Sequence, residues 1–125
     1  SIEGNVISIS CGRFFSGAIL YDNTVKFWGT NAYKQCDPPD SIQGKVVSIS
    51  SGGDHSVALL NDNTVKCWGW VRCIPPNSIQ GKVVSINCGG DHSIALLNDM
   101  TVVCWGNDWD RQCTVPKGLK VMRKN

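Results

Sequence analysis

The sequence predicts an all-β protein built from three copies of one small antiparallel sheet, and three observations support this. The segment SGGDHSVALLNDNTVKCWG at 51–69 returns as CGGDHSIALLNDMTVVCWG at 88–106 and, in a more divergent form, as CGRFFSGAILYDNTVKFWG at 11–29. Runs such as KVVSIS and TVKCWG alternate apolar and polar residues with the period of a half-buried strand. No segment of ten or more residues has helical spacing. A β unit repeated about every 40 residues is typical of propellers and solenoids.

Each unit contains the signals of three to four strands. In the second unit these are KVVSIS, the apolar run HSVALL and the alternating TVKCWG. The GG before DH predicts a turn after the first strand, and NDNT between the next two has the Asn and Asp chemistry of a tight hairpin. Pro38-Pro39 and Pro75-Pro76 mark unit boundaries, because proline cannot donate a hydrogen bond to a central strand ladder. We therefore expect three antiparallel sheets.

The unit boundaries follow from the linkers SIEGNV, SIQGKV and SIQGKV. Aligning Val6, Val46 and Val83 gives spacings of 40 and 37 residues, and the loop after the tryptophan is shorter in the second unit, WGWVRC, than in the other two. At 125 residues the chain has room for one domain with a modest core. We predict a repeat domain over 1–116, with units 1–40, 41–77 and 78–116, followed by a basic tail or the start of a further strand, 117–125.

Composition excludes several classes of partner. The hydrophobic content of 42% is that of a soluble globular chain. No apolar run approaches the roughly 20 residues that a membrane helix needs. A formal charge of +2 argues against nucleic acid as the main partner. No signal peptide is visible. Because the chain opens on Ser1, we expect it to be processed, trimmed or a fragment.

The repeated letters resemble the RCC1 (regulator of chromosome condensation) repeat family. The pattern is V-x-x-I-x-x-G-x-x-H-S-x-A-L-x-x-D-x-T-V-x-x-W-G, and the second and third units carry it almost completely. The unit length and the QCTVP run at 112–116 are similar to the short-repeat branch, which includes a bacterial β-lactamase inhibitor protein. The resemblance implies propeller blades, so that three units would form a partial propeller or half of an oligomeric one.

The triplet Asp54-His55-Ser56 suggests a catalytic relay, but the strand geometry argues against it. Adjacent residues on a strand point to opposite faces, so the three side chains cannot each touch the next. The first unit has Phe14-Phe15 in place of Asp-His. We therefore predict a structural role, in which these His and Ser residues begin a buried strand and bond a neighbouring blade. This structural set is His55, Ser56, His92 and Ser93.

Aromatic residues fall into two classes. Trp28, Trp68 and Trp105 recur beside a glycine and are predicted to pack between blades. Others are specific to one unit, and counting strand directions places them with the first turn of each unit on one rim. Unit-specific aromatic and acidic residues on a shared rim are typical of a protein-binding face, and packing of the loops against the sheets is the alternative. The predicted contact set is Trp109, Trp70, Tyr33, Phe14, Phe15, Asp108, Asp54 and Asp91.

The seven cysteines do not form a pattern common to all units. The first unit has Phe27 where the others have cysteine, and the second has Ser51. Cysteines that exchange with Phe and Ser behave as small buried hydrophobes, which predicts a reducing intracellular compartment, cytoplasmic or nuclear. Zinc is not expected, because there is no CxxC motif. Two pairs remain open: Cys67–Cys73 and Cys104–Cys113.

No motif of an enzyme is present: the sequence has no P-loop, no Rossmann glycine pattern and no HExxH. We predict no catalytic activity and no cofactor, and a protein–protein interaction or assembly module that binds a protein of unknown identity through the loop rim. The resemblance also implies an alternative, guanine-nucleotide exchange on a small GTPase, although the β-wedge used for it in the family has no counterpart here. A purely structural component of a larger assembly is a further alternative.

Three blades leave two sheet faces without a neighbour. RCC1-type propellers close with about seven blades, and exposed apolar sheet faces invite association. We therefore expect self-association or contact with the remaining blades of a larger propeller.

Overall fold

The computed structural model describes residues 6–70 and 73–107, together with residues 113, 115, 116 and 119. These residues form three separate antiparallel sheets of three strands each, in the orders β1-β2-β3, β4-β5-β6 and β7-β8-β9. The prediction of an all-β fold with three blades is confirmed, and within the described residues each blade has three strands. The strands are β1 Val6–Cys11, β2 Phe15–Leu20, β3 Val25–Gly29, β4 Val46–Ser51, β5 His55–Leu60, β6 Val65–Gly69, β7 Val83–Cys88, β8 His92–Leu97 and β9 Val102–Gly106.

The hairpin between the second and third strands follows one pattern in all three sheets. In the second sheet the Asp62 carboxylate accepts a hydrogen bond from the backbone N–H of Thr64, at 3.1 Å. Asn63 between them has a φ of 68°. This value lies in the left-handed region, which asparagine tolerates. The side-chain amide of Asn63 donates to the carbonyl of Val83, the first residue of the next sheet, at 2.9 Å. The turn therefore also ties one sheet to the next.

The core lies between the sheets. We call the side of a sheet that faces the following sheet its forward face, and the other side its backward face. The forward face of the first sheet and the backward face of the second share one cluster: Ile19, Val25, Ile42, Val46, Ile49, Ala58, Leu60 and Trp68, with Phe27 beside it. The second cluster, between the second and third sheets, is Val57, Leu59, Val65, Ile79, Val83, Ala95, Leu97 and Trp105.

Each linker between sheets contains a three-residue 3-10 helix, Asp40–Ile42 and Asn77–Ile79. Ile42 and Ile79 end these helices and are fully buried between the sheets. Because the apolar side chain of a linker is placed in the core, the linker fixes the spacing of the sheets it joins.

A glutamine follows each 3-10 helix and pairs with the preceding sheet. The Gln43 side chain accepts a hydrogen bond from the Val25 N–H at 2.8 Å and donates one to the Val25 carbonyl at 3.1 Å. Gln80 repeats both contacts with Val65 at 2.7 and 2.9 Å. The amide thereby imitates a strand residue at the outer edge of the sheet.

The recurring tryptophans do not share one environment. Trp68 and Trp105 are 8% and 7% exposed, whereas Trp28 is 48% exposed. The prediction that Trp28 is packed between blades is therefore wrong within this chain, because the described structure has no sheet against its backward face. Trp68 donates its indole N–H to the carbonyl of Gln35 at 2.8 Å, and Trp105 donates to that of Cys73 at 2.9 Å.

Cys104 and Cys113 form a disulfide with a Cα–Cα distance of 4.9 Å. This is one of the two pairs that the sequence left open. Cys67 and Cys73, the other pair, are not joined. Interaction with Cys73 and burial raise the pKa of the Cys67 thiol. Cys67 and Cys73 occupy the sequence positions that Cys104 and Cys113 have in the third unit. Within the described ranges, no helix has the length and apolar composition that a membrane span requires.

Candidate protein-binding rim

The first turn of each unit and the loop after its third strand meet at one rim. The carbonyl of Phe14 accepts a hydrogen bond from Thr30 N–H at 3.0 Å, which joins the two segments in the first sheet. Trp70 N–H donates to the carbonyl of Asp54 at 3.0 Å, and the third sheet repeats this contact between Asn107 and Asp91. We call this surface, made of turns 12–14, 52–54 and 89–91 and the loop starts at 30–36, 70 and 107, the top rim.

Backbone hydrogen bonds also join the turns of neighbouring sheets. Arg13 N–H donates to the Gly52 carbonyl at 3.2 Å, and Gly53 N–H donates to the Gly90 carbonyl at 2.8 Å. A Cβ atom on Gly53 would lie 2.8 Å from the Gly90 oxygen, which is too close for any other residue. The glycines of the repeated motif therefore allow the turns to approach each other, and they make the top rim one continuous surface.

Aromatic side chains are exposed on the part of the top rim that the first sheet supplies. Phe14 is 67% exposed, and the guanidinium of Arg13 lies 5.9 Å from its ring centroid. This distance is in the range of a cation–π contact. Tyr33 is about half exposed in the loop that follows β3. Asp91 is exposed, while Asp54 and Trp70 are partly buried. This surface therefore offers apolar rings beside charges of both signs.

One predicted contact residue is not on the accessible surface, and two others cannot be placed. Phe15 is buried, and its ring centroid lies 6.4 Å from that of Phe27. Its inclusion among the contact residues is therefore wrong, because Phe15 occupies the position that His55 takes in the second sheet and points into the blade. Asp108 and Trp109 lie outside the described residues.

The fold directs His55 and Ser56 of the Asp-His-Ser triplet to opposite faces of the second sheet. The Nε2 atom of His55 lies 3.0 Å from Oγ of Ser93 in the following sheet. Ser56 instead donates its hydroxyl to the backbone carbonyl of Gln35 in the preceding sheet, at 2.9 Å. These side chains are buried, and burial lowers the pKa of His55. A neutral, enclosed His–Ser pair bonds two sheets together and offers no surface on which a substrate could react.

Gln35 is a structural residue that the sequence analysis did not single out. It is buried, and its carbonyl accepts hydrogen bonds from both Ser56 and Trp68, at 2.9 and 2.8 Å. Its side-chain oxygen accepts a further bond from the N–H of Tyr33, at 2.9 Å. The recurring QC pair in the loops of the first and third units was the available signal. Gln35 therefore holds the loop that presents Tyr33.

The described residues show no metal-binding arrangement: among the His, Cys, Asp and Glu positions that they contain, no three side chains converge as ligands would.

A family model confirms the type of repeat. The regulator of chromosome condensation (RCC1) repeat matches residues 46–70 and 83–108. No curated protein sequence matches the chain.

Solved structures share the fold over most of the chain. The ectodomain of the Arabidopsis thaliana receptor kinase ACR4 is 25% identical over 81% of this chain and 38% of its own, with a TM-score of 0.67. Human WBSCR16 is 22% identical over 93% of this chain and 37% of its own, with a TM-score of 0.72. Saccharomyces cerevisiae Prp20p, described with its binding to Gsp1p and histones, is 19% identical over 94% of this chain and 34% of its own, with a TM-score of 0.73. The chain spans well under half the length of each.

Proposed function

Because this chain is built from RCC1-like propeller repeats, we propose that it is a protein-interaction module and that its top rim contacts a partner protein. Structural neighbours with this fold bind proteins: yeast Prp20 has been solved in complex with Kap60. That binding belongs to the yeast protein, and for this chain it supports the general class of activity. The choice of surface depends on the chain's own residues.

The exposure of Phe14 is the observation that supports the choice of the top rim. The side chain of this phenylalanine is 67% exposed. Full burial of such a side chain contributes roughly 2 kcal/mol, so a partner that covers the ring would be bound more tightly by up to this amount. Tyr33 lies in the loop that bonds the same turn, through Thr30 and the Phe14 carbonyl. Tyrosine and arginine are the residue types enriched at energetic centres of interfaces, and Arg13 completes the group.

The sheets beneath the top rim make it a rigid platform. The turns are joined to one another by backbone bonds, and Gln35 fixes the loop of Tyr33. A preorganised surface loses little conformational freedom when it binds, which leaves more of the contact energy for affinity. We expect a partner whose contact surface is apolar at its centre and carries charges of both signs at its edge.

The test is affinity capture with the full chain as bait, followed by titration of each captured protein. We expect Phe14→Ala with Tyr33→Ala to weaken binding of the partner at least ten-fold. The matched control is Tyr21→Ala, because Tyr21 is 68% exposed but lies in the β2–β3 turn at the opposite end of the sheet. Trp70→Ala and Trp109→Ala extend the test to the other units.

The proposal fails if the double variant binds every captured protein as tightly as the wild type while circular dichroism shows an intact fold. It also fails if Tyr21→Ala weakens binding as much as the rim variants, because the contact would then lie elsewhere.

A further inference from the structure

We propose that two copies of this chain bind end to end, with the forward face of the third sheet of one copy against the backward face of the first sheet of the other. These surfaces are separate from the top rim, so this inference is independent of the proposed function. The two inter-sheet interfaces within the chain show how such faces pack.

The forward face of the third sheet has the composition of a face that is covered in the second sheet. Val57, Leu59 and Val65 are buried against the third sheet. The residues in the same register of the third sheet are Ile94, Leu96 and Val102. Ile94 pairs with Cys104 as Val57 pairs with Cys67, and Leu96 pairs with Val102 as Leu59 pairs with Val65. They are partly exposed and line a shallow apolar depression. This face is therefore suited to receive the backward face of an RCC1-type sheet.

The backward face of the first sheet has the composition of the faces that fill such a surface. Ile49 packs against the first sheet and is only 9% exposed. Ile9 has the same register position in the first sheet, opposite Ala18 as Ile49 is opposite Ala58, but it is 74% exposed. Val6 and Trp28 are likewise exposed, while Val46 and Trp68 are buried. The first sheet thus displays an isoleucine, a valine and a tryptophan that the second sheet uses to pack.

Polar groups of the two end faces also match. At the interface of the second and third sheets, His55 bonds the Ser93 hydroxyl. His92 occupies the same position on the third sheet, and Ser16 is the corresponding serine of the first sheet. An end-to-end contact would place His92 of one copy against Ser16 of the other. One bond of the existing interfaces would be missing, because Met100 replaces the asparagine whose amide reaches the next sheet.

The indole N–H of Trp28 needs an acceptor in such an interface, as the indoles of the other two recurring tryptophans do. Trp68 and Trp105 each donate to a backbone carbonyl in the loop after the preceding sheet. In the third unit Cys113 takes the position that Cys73 has in the second, and the disulfide with Cys104 holds it to β9. We therefore expect Trp28 of one copy to donate to the backbone carbonyl of Cys113 in the other.

Each copy carries one end of each kind, so two copies join at two equivalent interfaces and close a ring of six sheets. Propellers of about four to eight blades are stable closed structures, and a closed ring leaves neither face exposed. The occupant of each face is therefore a second copy of the chain.

The first experiment measures molar mass by light scattering after size exclusion, at high micromolar concentration. We expect the wild type to show twice the 13.6 kDa of one chain. Ile9→Asp should convert the pair to monomers, because it places a charge in both apolar interfaces.

Ile7→Asp is the matched control on the same strand. Ile7 is 47% exposed, and its counterparts Val47 and Val84 remain 48% and 46% exposed although their sheets have a neighbour. This position therefore lies outside the interface, and Ile7→Asp should remain a pair.

Mixing two defective chains tests the pairing of the faces directly. Ile94→Asp damages only the forward face of the third sheet, so it should be monomeric alone, as should Ile9→Asp. The mixture retains one intact forward face and one intact backward face, and should form a 1:1 pair through a single interface.

Two results would overturn the proposal. If the wild type remains monomeric at this concentration, the two end faces do not bind each other. Association that Ile7→Asp and Ile9→Asp weaken equally, or that the mixture fails to restore, shows nonspecific hydrophobic contact.

Discussion

His55 shows how burial between two sheets constrains a titratable side chain. Its Nε2 atom bonds Ser93, while its Nδ1 atom has no hydrogen-bond partner. Burial favours the neutral ring and lowers the pKa of His55 in the folded chain below the ordinary value of 6.5. The unfolded chain therefore binds a proton that the folded chain excludes whenever the pH falls below about 6.5.

We predict that the free energy of unfolding falls between pH 7.5 and pH 5, by up to about 1.4 kcal/mol per pH unit below the unfolded pKa of the histidine. The contribution is fully present above that pKa and is lost as the pH drops. Urea unfolding of the wild type and of His55→Gln, at fixed protein concentration, measures it, and the slope attributable to His55 should vanish in the variant.

The turn carboxylates of Asp22 and Asp62 do not account for this slope. Hydrogen bonds from Thr24 and Thr64 lower the pKa of Asp22 and Asp62 below 3.8, so both stay ionised across the range. Equal pH slopes in the wild type and in His55→Gln would show that the ring is not kept neutral by burial.

At the scale of the element, the three hairpins after β2, β5 and β8 differ at their left-handed residue. Asn23 and Asn63 have φ values of 65° and 68°, and each donates its side-chain amide to the first strand of the next sheet. Met100 adopts the same backbone, with a φ of 73°. For a side chain such as methionine this conformation costs roughly 1–2 kcal/mol, and asparagine tolerates it better. The third hairpin is therefore the strained copy.

We predict that Met100→Asn raises the free energy of unfolding by about 0.5–1 kcal/mol, because asparagine accepts the positive φ. The reverse change, Asn63→Met, should cost more than this gain, because it also removes the bond to the Val83 carbonyl. Thermal melting of the wild type and the two variants measures both changes in stability. A melting temperature that Met100→Asn lowers would contradict the assignment of strain to this turn.

The strands could be predicted from the sequence because alternation and turn chemistry are local signals. KVVSIS, HSVALL and TVKCWG each became a strand, and NDNT a hairpin. The exposure of single residues was harder, because it depends on which sheet lies alongside. Trp28 stands in nearly the same sequence, TVKFWG, as Trp68 in TVKCWG, but it has no described sheet before it. Phe15 occupies the buried position that histidine takes in the other units, although it directly follows the exposed Phe14.

For the whole molecule, stability depends on contacts between neighbouring sheets. Each sheet contacts the next through one apolar cluster and one linker, as expected of a repeat protein whose units interact with nearest neighbours. The linker isoleucines Ile42 and Ile79 belong to these clusters and come from outside the strands. Each is therefore a point at which one interface can be weakened without altering any sheet.

We predict that Ile79→Ala destabilises the chain by about 2–5 kcal/mol, the range for deletion of a fully buried isoleucine. Because the loss falls on one interface, the third sheet should unfold at a lower urea concentration than the first two, giving a broadened or two-step transition. Ile74→Ala is the control, since Ile74 is exposed in the same linker. A single sharp transition at an unchanged midpoint for Ile79→Ala would contradict this.

The repetition of forward and backward faces has a genetic consequence. One unit of 37 residues encodes a sheet, the linker that precedes it and both of its faces. Removing the second unit would bring Ile19 and Val25 of the first sheet against Val83 and Trp105 of the third, residues of the same kinds that meet in the intact chain. Recombination between such similar units can therefore add or remove a whole sheet in a single event, and the new interface is made of the same kinds of residues as the old one.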